Sequence, residues 1–141
     1  MLMNSYFAVK VRRVIWSECC DKLSAVRVTV FVEEQHVPEA LEIDGLDDKC
    51  LHVLAESATG EAVGTGRLSP NGHIGRMAVL EKWRRRGVGE MLLRELIAAA
   101  GERNHPEIKL SAQPHAIGFC QRFGFDVGNE EYTDDRSNHR T

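Results

Sequence analysis

Residues 87–100 carry the strongest pattern in the chain, because their apolar side chains recur at helical spacing. A helix with one continuous apolar face must bury that face against another layer of structure. Glu90 and Arg94 form an acid-first pair four residues apart, which supports the helix on its polar side. Gly101 suits the position just beyond the last helical residue. The apolar face consists of Val88, Met91, Leu92, Leu96 and Ala99, widened by Leu93 and Ile97.

Alternating apolar residues and turn signals predict strands on either side of this helix. The turn at residues 69–72 contains Pro70, Asn71 and Gly72, which suit the dihedral angles of a tight turn. The order strand, helix, hairpin, strand, helix, strand, helix, strand indicates an α/β or mixed α+β sheet covered by helices. The predicted strands are residues 6–13, 51–56, 62–68, 73–80, 108–112 and 125–127, and a further helix is predicted near residues 115–123.

The segment after the first strand gives two conflicting signals. Ser17 is a suitable N-cap, and Leu23, Val26 and Val30 recur at helical spacing. Residues 26–32 are rich in β-branched side chains, which favour a strand. We predict a helix here, followed at residues 33–50 by a long ordered loop, because apolar residues are spaced through that acidic stretch.

Length and composition exclude several classes of protein. A length of 141 residues predicts one domain over residues 1–141, and a net charge of −3 argues against a general nucleic-acid binder. No apolar run approaches the roughly 20 residues of a membrane span, and residues 1–10 do not resemble a secretory signal. The cysteines form no CxxC pair or metal spacing, which favours free thiols in a reducing, cytoplasmic setting. They are Cys19, Cys20, Cys50 and Cys120.

The start of the long helix has the features of an anion-binding site. A predicted strand runs through a turn into Gly87 and Gly89, and free N–H groups at a helix N-terminus attract anions. The glycines allow close approach to the backbone, and residues 84–86 add three arginines. An ordinary turn with a solvated basic run is the alternative. Residues 64–66 (Gly-Thr-Gly) lack the third glycine of a dinucleotide fingerprint, and no GxxxxGK[ST] motif occurs.

The spacing Arg84-x-x-Gly87-x-Gly89 resembles the [Q/R]-x-x-G-x-[G/A] signature of the GNAT superfamily of acyl-CoA-dependent N-acetyltransferases. The strand before it, the run 110–113 and the run 116–125 resemble later family segments in the family's order. The run 27–38, followed by Asp44, Asp47 and His52, resembles the ElaA-like branch. The likeness spans roughly residues 6–139 and implies a twisted mixed sheet, flanked by helices and splayed between the fourth and fifth strands at the cofactor site.

The resemblance also implies how acetyl-CoA, the acyl-donor co-substrate, is held without a metal. Backbone amides from Arg84 to Gly89 would hold the pyrophosphate, and the backbone of Met77 and Val79 would pair with pantetheine. The Val79 N–H would then stabilise the oxyanion formed as an amine attacks the thioester. The implied cofactor-binding residues are Met77, Ala78, Val79, Arg84, Arg85, Arg86, Gly87, Val88, Gly89, Glu90 and Gln113.

The general acid departs from the family pattern. Family members commonly place a tyrosine on the late helix to protonate the departing thiolate, and the matching residue here is Cys120. A thiol donates weakly. Three readings stay open: Cys120 is the acid, water is the acid, or the step needs none, with Cys120 then a small helix residue without a chemical role.

The general base has two candidates. His139 lies in a tail that resembles a family branch with a histidine before its last strand, and histidine has a suitable pKa. Glu33 or Glu34, at the entrance to the acidic loop, is the rival. His73 and His115 are read as structural. His52, with Asp44 and Asp47, raises the question of a metal, but the spacing favours a hydrogen bond tying loop to sheet.

The predicted function is an N-acetyltransferase acting on a small-molecule amine, with a non-catalytic acyl-CoA-binding sensor or partner module as the alternative. The acidic loop either attracts a cationic acceptor or is a solvated loop. Contact of residues 84–86 with nucleic acid is disfavoured by the net charge and by the lack of an aromatic platform. A homodimer is among the expected assemblies, because symmetric pairs are common.

Overall fold

Seven strands in the described part of the chain form one mixed sheet. This computed structural model describes residues 8–38, 45–105, 107–111, 126–127 and 131–135. The strands are β1 (Val9–Val14), β2 (Leu51–Ser57), β3 (Ala62–Leu68), β4 (His73–Val79), β5 (Glu107–Ser111), β6 (Asp126–Val127) and β7 (Glu131–Asp135). Their order across the sheet is β1-β2-β3-β4-β5-β7-β6, with β4 and β5 parallel and the other neighbours antiparallel. The predicted mixed sheet is confirmed.

Two long helices cover opposite faces of the sheet. Helix α1 spans Trp16–Arg27 and helix α2 spans Val88–Glu102. Leu54 of β2 packs with α1, whereas its neighbours Val53 and Ala55 pack with α2. The alternation of side chains along a strand therefore divides the core into two layers. Within the described residues, no helix has the length and apolar character needed to cross a membrane.

The conflict between helix and strand after β1 is resolved as a change of helix type. Helix α1 passes into a π-helix over Val28–Glu34, where the Gln35 N–H donates to the Val30 carbonyl five residues back. The buried side chain of Val30 packs on Ala78 of β4, and this tertiary contact overrides the local strand preference. A short 3₁₀-helix, Asp47–Lys49, then precedes β2.

Both predicted helix boundaries differ from the structure. Helix α1 begins at Trp16 with Ile15 as its N-cap, so Ser17 lies inside the helix and the predicted cap was wrong. The Ile15 carbonyl already accepts from the amides of Glu18 and Cys19. Helix α2 continues through Gly101 and ends at Glu102, because the Arg103 amide still bonds to a carbonyl four residues back.

The sheet opens between β4 and β5. The two strands pair only at His73 with Lys109 and at Ile74 with Leu110, so β4 from Gly75 onward has no strand partner on this side in the described residues. The predicted splaying between the fourth and fifth strands is confirmed. A β-bulge accompanies the opening, because the register between β3 and β4 shifts by one residue after Gly75.

The C-terminal part departs from the prediction in one described element. Strand β7, which pairs with all of β5, was not predicted, because its acidic composition lacks a strand signal. The described part of β7 ends at Asp135, and His139, which the resemblance places before the last strand, lies outside the described residues. The predicted helix near residues 115–123 lies outside the described residues.

Candidate functional site

A tight turn joins β4 to α2 and exposes the start of the helix. A 3₁₀-helix over Glu81–Trp83 follows β4, and the buried Trp83 side chain, 3% exposed, anchors it in the core. The chain then reverses through two residues with positive φ, Arg85 at 63° and Gly87 at 83°. Glycine adopts this conformation without strain, which explains why Gly87 is suited to the position before the helix.

The amides at the start of α2 form a cradle of hydrogen-bond donors. The first helical bond runs from the Met91 N–H to the Gly87 carbonyl at 3.1 Å. Within the described residues, no backbone acceptor bonds to the amides of Arg85, Gly87, Val88, Gly89 or Glu90. These donors lie at the positive end of a fifteen-residue helix. The arrangement can bind an anion such as a phosphate.

The row of available donors is one residue shorter than predicted. The Arg84 amide donates to the Glu81 carbonyl at 3.2 Å, as the last bond of the 3₁₀-helix. It is therefore not free to hold a ligand, and the donors begin at Arg85. The expectation that the amides from Arg84 onward contact pyrophosphate is corrected at this one position.

Basic side chains surround the cradle. A surface depression of about 410 Å³ lies beside the turn and is lined by Glu81, Lys82, Arg84, Arg85 and Arg86. The Arg86 Nε donates to the Lys82 carbonyl at 3.2 Å, which holds that guanidinium beside the turn. Four cationic side chains against one acidic side chain make the depression electropositive. The predicted basic run thus lies next to the free amides, as anion binding requires.

Arg84 links the turn to the π-helix. Its Nη2 contacts the Glu34 Oε1 at 2.5 Å, and its Nε donates to the Val79 carbonyl at 2.8 Å. The contact with Glu34 joins residues 50 positions apart in the sequence. Glu34, predicted as a candidate base, therefore forms an ion pair beside the end of β4, and the Glu34 carboxylate shares its charge with a guanidinium.

The backbone of β4 offers a second row of polar groups. The Leu80 N–H donates to the Val63 carbonyl, toward β3. Because successive residues of a strand direct their N–H groups to opposite sides, the Val79 N–H points away from β3, toward the opening. The Thr65–Ala78 pairing places Met77 in the same alternating set as Val79. These two residues can pair with an extended ligand in the gap.

A buried ionic cluster fixes the segment before β2. Asp47, 6% exposed, accepts from Arg27 Nη1 at 2.9 Å, Arg27 Nη2 at 3.1 Å and Arg67 Nη1 at 3.0 Å. Burial disfavours charge on Asp47, but the two arginines outweigh it and hold the pKa of this carboxyl below its usual value. The cluster ties the segment to both α1 and β3.

His52 belongs to the same cluster and confirms the predicted structural role. Its Nε2 lies 2.9 Å from the Asp47 carbonyl oxygen, so this nitrogen carries the proton and donates. Burial lowers the pKa of the imidazole, and the hydrogen bond only partly offsets this effect. His52 therefore ties loop to sheet. Among the described residues, no group of three or more His, Cys, Asp and Glu side chains could hold a metal ion.

We expect acidification from about pH 7.5 to about 5.5 to destabilise this protein partly through His52. The unfolded chain takes up a proton there near its ordinary pKa of 6.5, while the buried native imidazole resists protonation. Stability is therefore retained above this range and lost as pH falls through it. Glu56, whose pKa Arg12 and Lys22 lower to about 2, stays ionised throughout.

Urea unfolding of the wild type and of His52→Gln at both pH values checks this expectation. Glutamine keeps a donor but does not titrate, so we expect the wild type to lose about 1 kcal/mol more than the variant. Equal losses would mean that His52 does not contribute to the acid sensitivity.

Three predicted site residues, Gln113, Cys120 and His139, lie outside the described residues, so their roles stay predictions. Sequence reasoning missed two buried side chains of β3. Arg67 joins the buried cluster, and Thr65 donates a hydrogen bond to the bulge in β4. An arginine next to glycine inside a predicted strand was the available signal for the first, and nothing in the sequence marks the second.

Known proteins share both sequence and fold with this chain. The model of the acetyltransferase (GNAT) domain matches residues 19–140. The uncharacterized protein YyaT of Bacillus subtilis is 31% identical over 137 residues, or 93% of this chain and 92% of that protein. Escherichia coli ElaA matches with a TM-score of 0.75 at 25% identity, over 89% of this chain and 97% of that one. A Brucella melitensis GNAT acetyltransferase in complex with acetyl-CoA matches with a TM-score of 0.77 at 19% identity, over 96% of this chain and 92% of that one.

Proposed function

Because the chain belongs to the GNAT acetyltransferase family, we propose that it is an N-acetyltransferase that moves the acetyl group of acetyl-CoA to the amine of a small acceptor. One observation carries this proposal. The free amides at the start of α2 follow directly on the strand that diverges from the sheet. An anion site and an open strand edge in this order suit a ligand with a phosphate group at one end and an extended amide-containing arm.

The residues present fit acetyl-CoA. The pyrophosphate would be held by the amides of Arg85, Gly87, Val88, Gly89 and Glu90. The Arg85 side chain, which lines the adjacent depression, would add a charged contact. The edge of β4 at Met77 and Val79 would bind the pantetheine arm as an added strand, as open strand edges bind extended peptides. Acetyl-CoA supplies an activated acetyl carbon. The Val79 N–H would stabilise the negative charge that develops on the thioester oxygen.

Two proton transfers accompany the reaction. An alkylammonium has a pKa of about 10, so most of the acceptor is protonated at neutral pH and a base is needed. We assign this role to His139, because Glu34 is already paired with Arg84. A departing thiolate with a pKa of about 8.5 needs less help. Cys120 or water supplies that proton.

The substitution Arg85→Glu, which reverses the charge of this side chain, should weaken binding of coenzyme A about tenfold or more, since charge-assisted contacts to phosphate are strong. The matched control is Arg103→Glu, which makes the same charge change at the opposite end of α2. Isothermal titration with coenzyme A measures both. Similar losses in the two variants would place the pyrophosphate elsewhere.

Free-thiol release from acetyl-CoA in the presence of a panel of small amines tests the reaction itself. Release that depends on an amine supports the N-acetyltransferase. Tight binding of coenzyme A without release on any amine supports the alternative, a non-catalytic acyl-CoA-binding module, which the cysteine at position 120 permits. Absence of binding would overturn both.

A further inference from the structure

The Gly-Thr-Gly run in the middle of β3 has two faces with different neighbours. A Cβ atom added to Gly64 would lie 3.0 Å from Leu92 Cδ1, and one added to Gly66 would lie 2.6 Å from Leu96 Cδ1. The two glycines therefore let α2 lie close against the strand. Because side chains alternate along a strand, Thr65 points to the opposite face, where α1 lies.

Thr65 makes a specific contact on that face. The side chain is buried, with 1% of the residue exposed, and its Oγ1 donates to the Arg76 carbonyl oxygen at 3.1 Å. Arg76 has a φ of 52°, a left-handed conformation that is unfavourable for a residue with a side chain. The hydroxyl thus binds the carbonyl of a strained residue and supports its conformation.

The strained residue lies in the β-bulge of β4. Arg67 pairs with Gly75 and Thr65 pairs with Ala78, so Gly66 alone faces both Arg76 and Met77. The extra residue reverses the alternation of the strand beyond it. Without the bulge, Thr65 would face Met77, and the Val79 N–H would turn toward β3 instead of toward the opening.

We propose that Thr65 is a positioning residue for acetyl transfer, which holds the bulge of β4 and thereby keeps the Val79 N–H directed into the cofactor gap. This inference rests on the proposed function, in which that N–H stabilises the developing charge. The Gly-Thr-Gly run of residues 64–66 then positions both parts of the site, helix α2 and the open edge of β4. Its glycines set the approach of α2, and its threonine sets the edge of β4.

Two substitutions separate the hydroxyl from the shape of the side chain. Thr65→Val keeps the shape and removes the donor, while Thr65→Ser keeps the donor. We expect kcat to fall about tenfold or more in Thr65→Val, since loss of an oxyanion donor itself costs about 100- to 1,000-fold. Thr65→Ser should stay within about threefold of the wild type, because it keeps the hydrogen bond. The dissociation constant for coenzyme A should rise by a smaller factor than kcat falls, because the pyrophosphate cradle is untouched and only the β4 edge that would bind pantetheine is altered.

The strain at Arg76 provides a rescue experiment. Glycine adopts a positive φ without support, so Arg76→Gly should restore part of the kcat lost in Thr65→Val. Arg76→Ala removes the same side chain but retains the strain and should not restore it. Equal kcat values for the valine and serine variants, or equal rescue by alanine and glycine, would overturn the proposal.

Backbone amide NMR of the ligand-free protein separates this inference from the enzymatic one. We expect Thr65→Val to shift the amide signals of residues 76–79 and to speed their hydrogen exchange, while Thr65→Ser leaves them near the wild type. Unchanged signals in Thr65→Val would overturn the role of Thr65, even if the wild type is active. If Thr65→Val shifts these signals but the wild type has no transferase activity, the proposed function fails while the role of Thr65 in supporting the bulge stands.

Discussion

Replacing Asp47 by asparagine should lower the free energy of unfolding by about 3–5 kcal/mol, because it removes one partner of a buried ionic cluster. Arg27 and Arg67 are 1% and 8% exposed, and both direct guanidinium nitrogens at this carboxylate. Asparagine is nearly isosteric but carries no charge. The two buried cations would lose the charge on which this part of the fold depends.

Asp48→Asn is the matched control, because Asp48 is the exposed neighbour in the same 3₁₀-helix. Its effect should lie within about 0.5 kcal/mol of zero, as for most surface substitutions. Urea denaturation at neutral pH measures both variants. A loss in Asp47→Asn below about 1 kcal/mol would show that Arg27 and Arg67 are neutralised by other means.

His139→Ala should lower kcat for amine acetylation by about 100-fold or more, if this histidine removes the proton of the acceptor. The acidic limb of the pH–rate profile should disappear with it, since that limb reports the base in its protonated form. The matched control is His105→Ala, which removes a histidine just beyond α2. Its kcat and pH profile should equal those of the wild type.

Glu34→Gln distinguishes the rival base from a structural partner. Glu34 contacts Arg84, and Arg84 bonds to the Val79 carbonyl, so we expect the variant to raise KM for acetyl-CoA. The acidic limb should remain. If the acidic limb of the pH–rate profile instead disappears in Glu34→Gln and survives in His139→Ala, Glu34 is the base. If the acidic limb survives in both variants, neither residue is the base.

The sequence predicts the elements that carry strong local patterns. Helix α2 follows from its apolar stripe, and the β2–β3 hairpin and β4 follow from alternation and turn residues. The free amides at the helix start follow from Gly87 and Gly89, because a glycine turn before a helix leaves donors exposed. The opening between β4 and β5 came from the family resemblance and not from the residues themselves.

Contacts between distant segments were beyond local patterns. Glu34 meets Arg84 only because the π-helix packs on Ala78, and the β-branched run of that helix favours a strand when considered alone. The same limit applies to Thr65, whose hydroxyl has a role only once β3 and β4 pair out of register. Strand β7 exists because β5 offers it a full edge, not because its acidic sequence favours extension.

The opening beside β4 bears on the lifetime of the protein in the cell. Beyond Ile74, β4 has no strand partner on the side of β5 among the described residues, so its backbone edge is open within the sheet. Such an edge is prone to local unfolding and to pairing with strands of other chains. A ligand that binds only the folded form at 100 times its dissociation constant would add about 2.7 kcal/mol of stability. Proteolytic turnover of the protein would then slow as the concentration of that ligand rises above its dissociation constant.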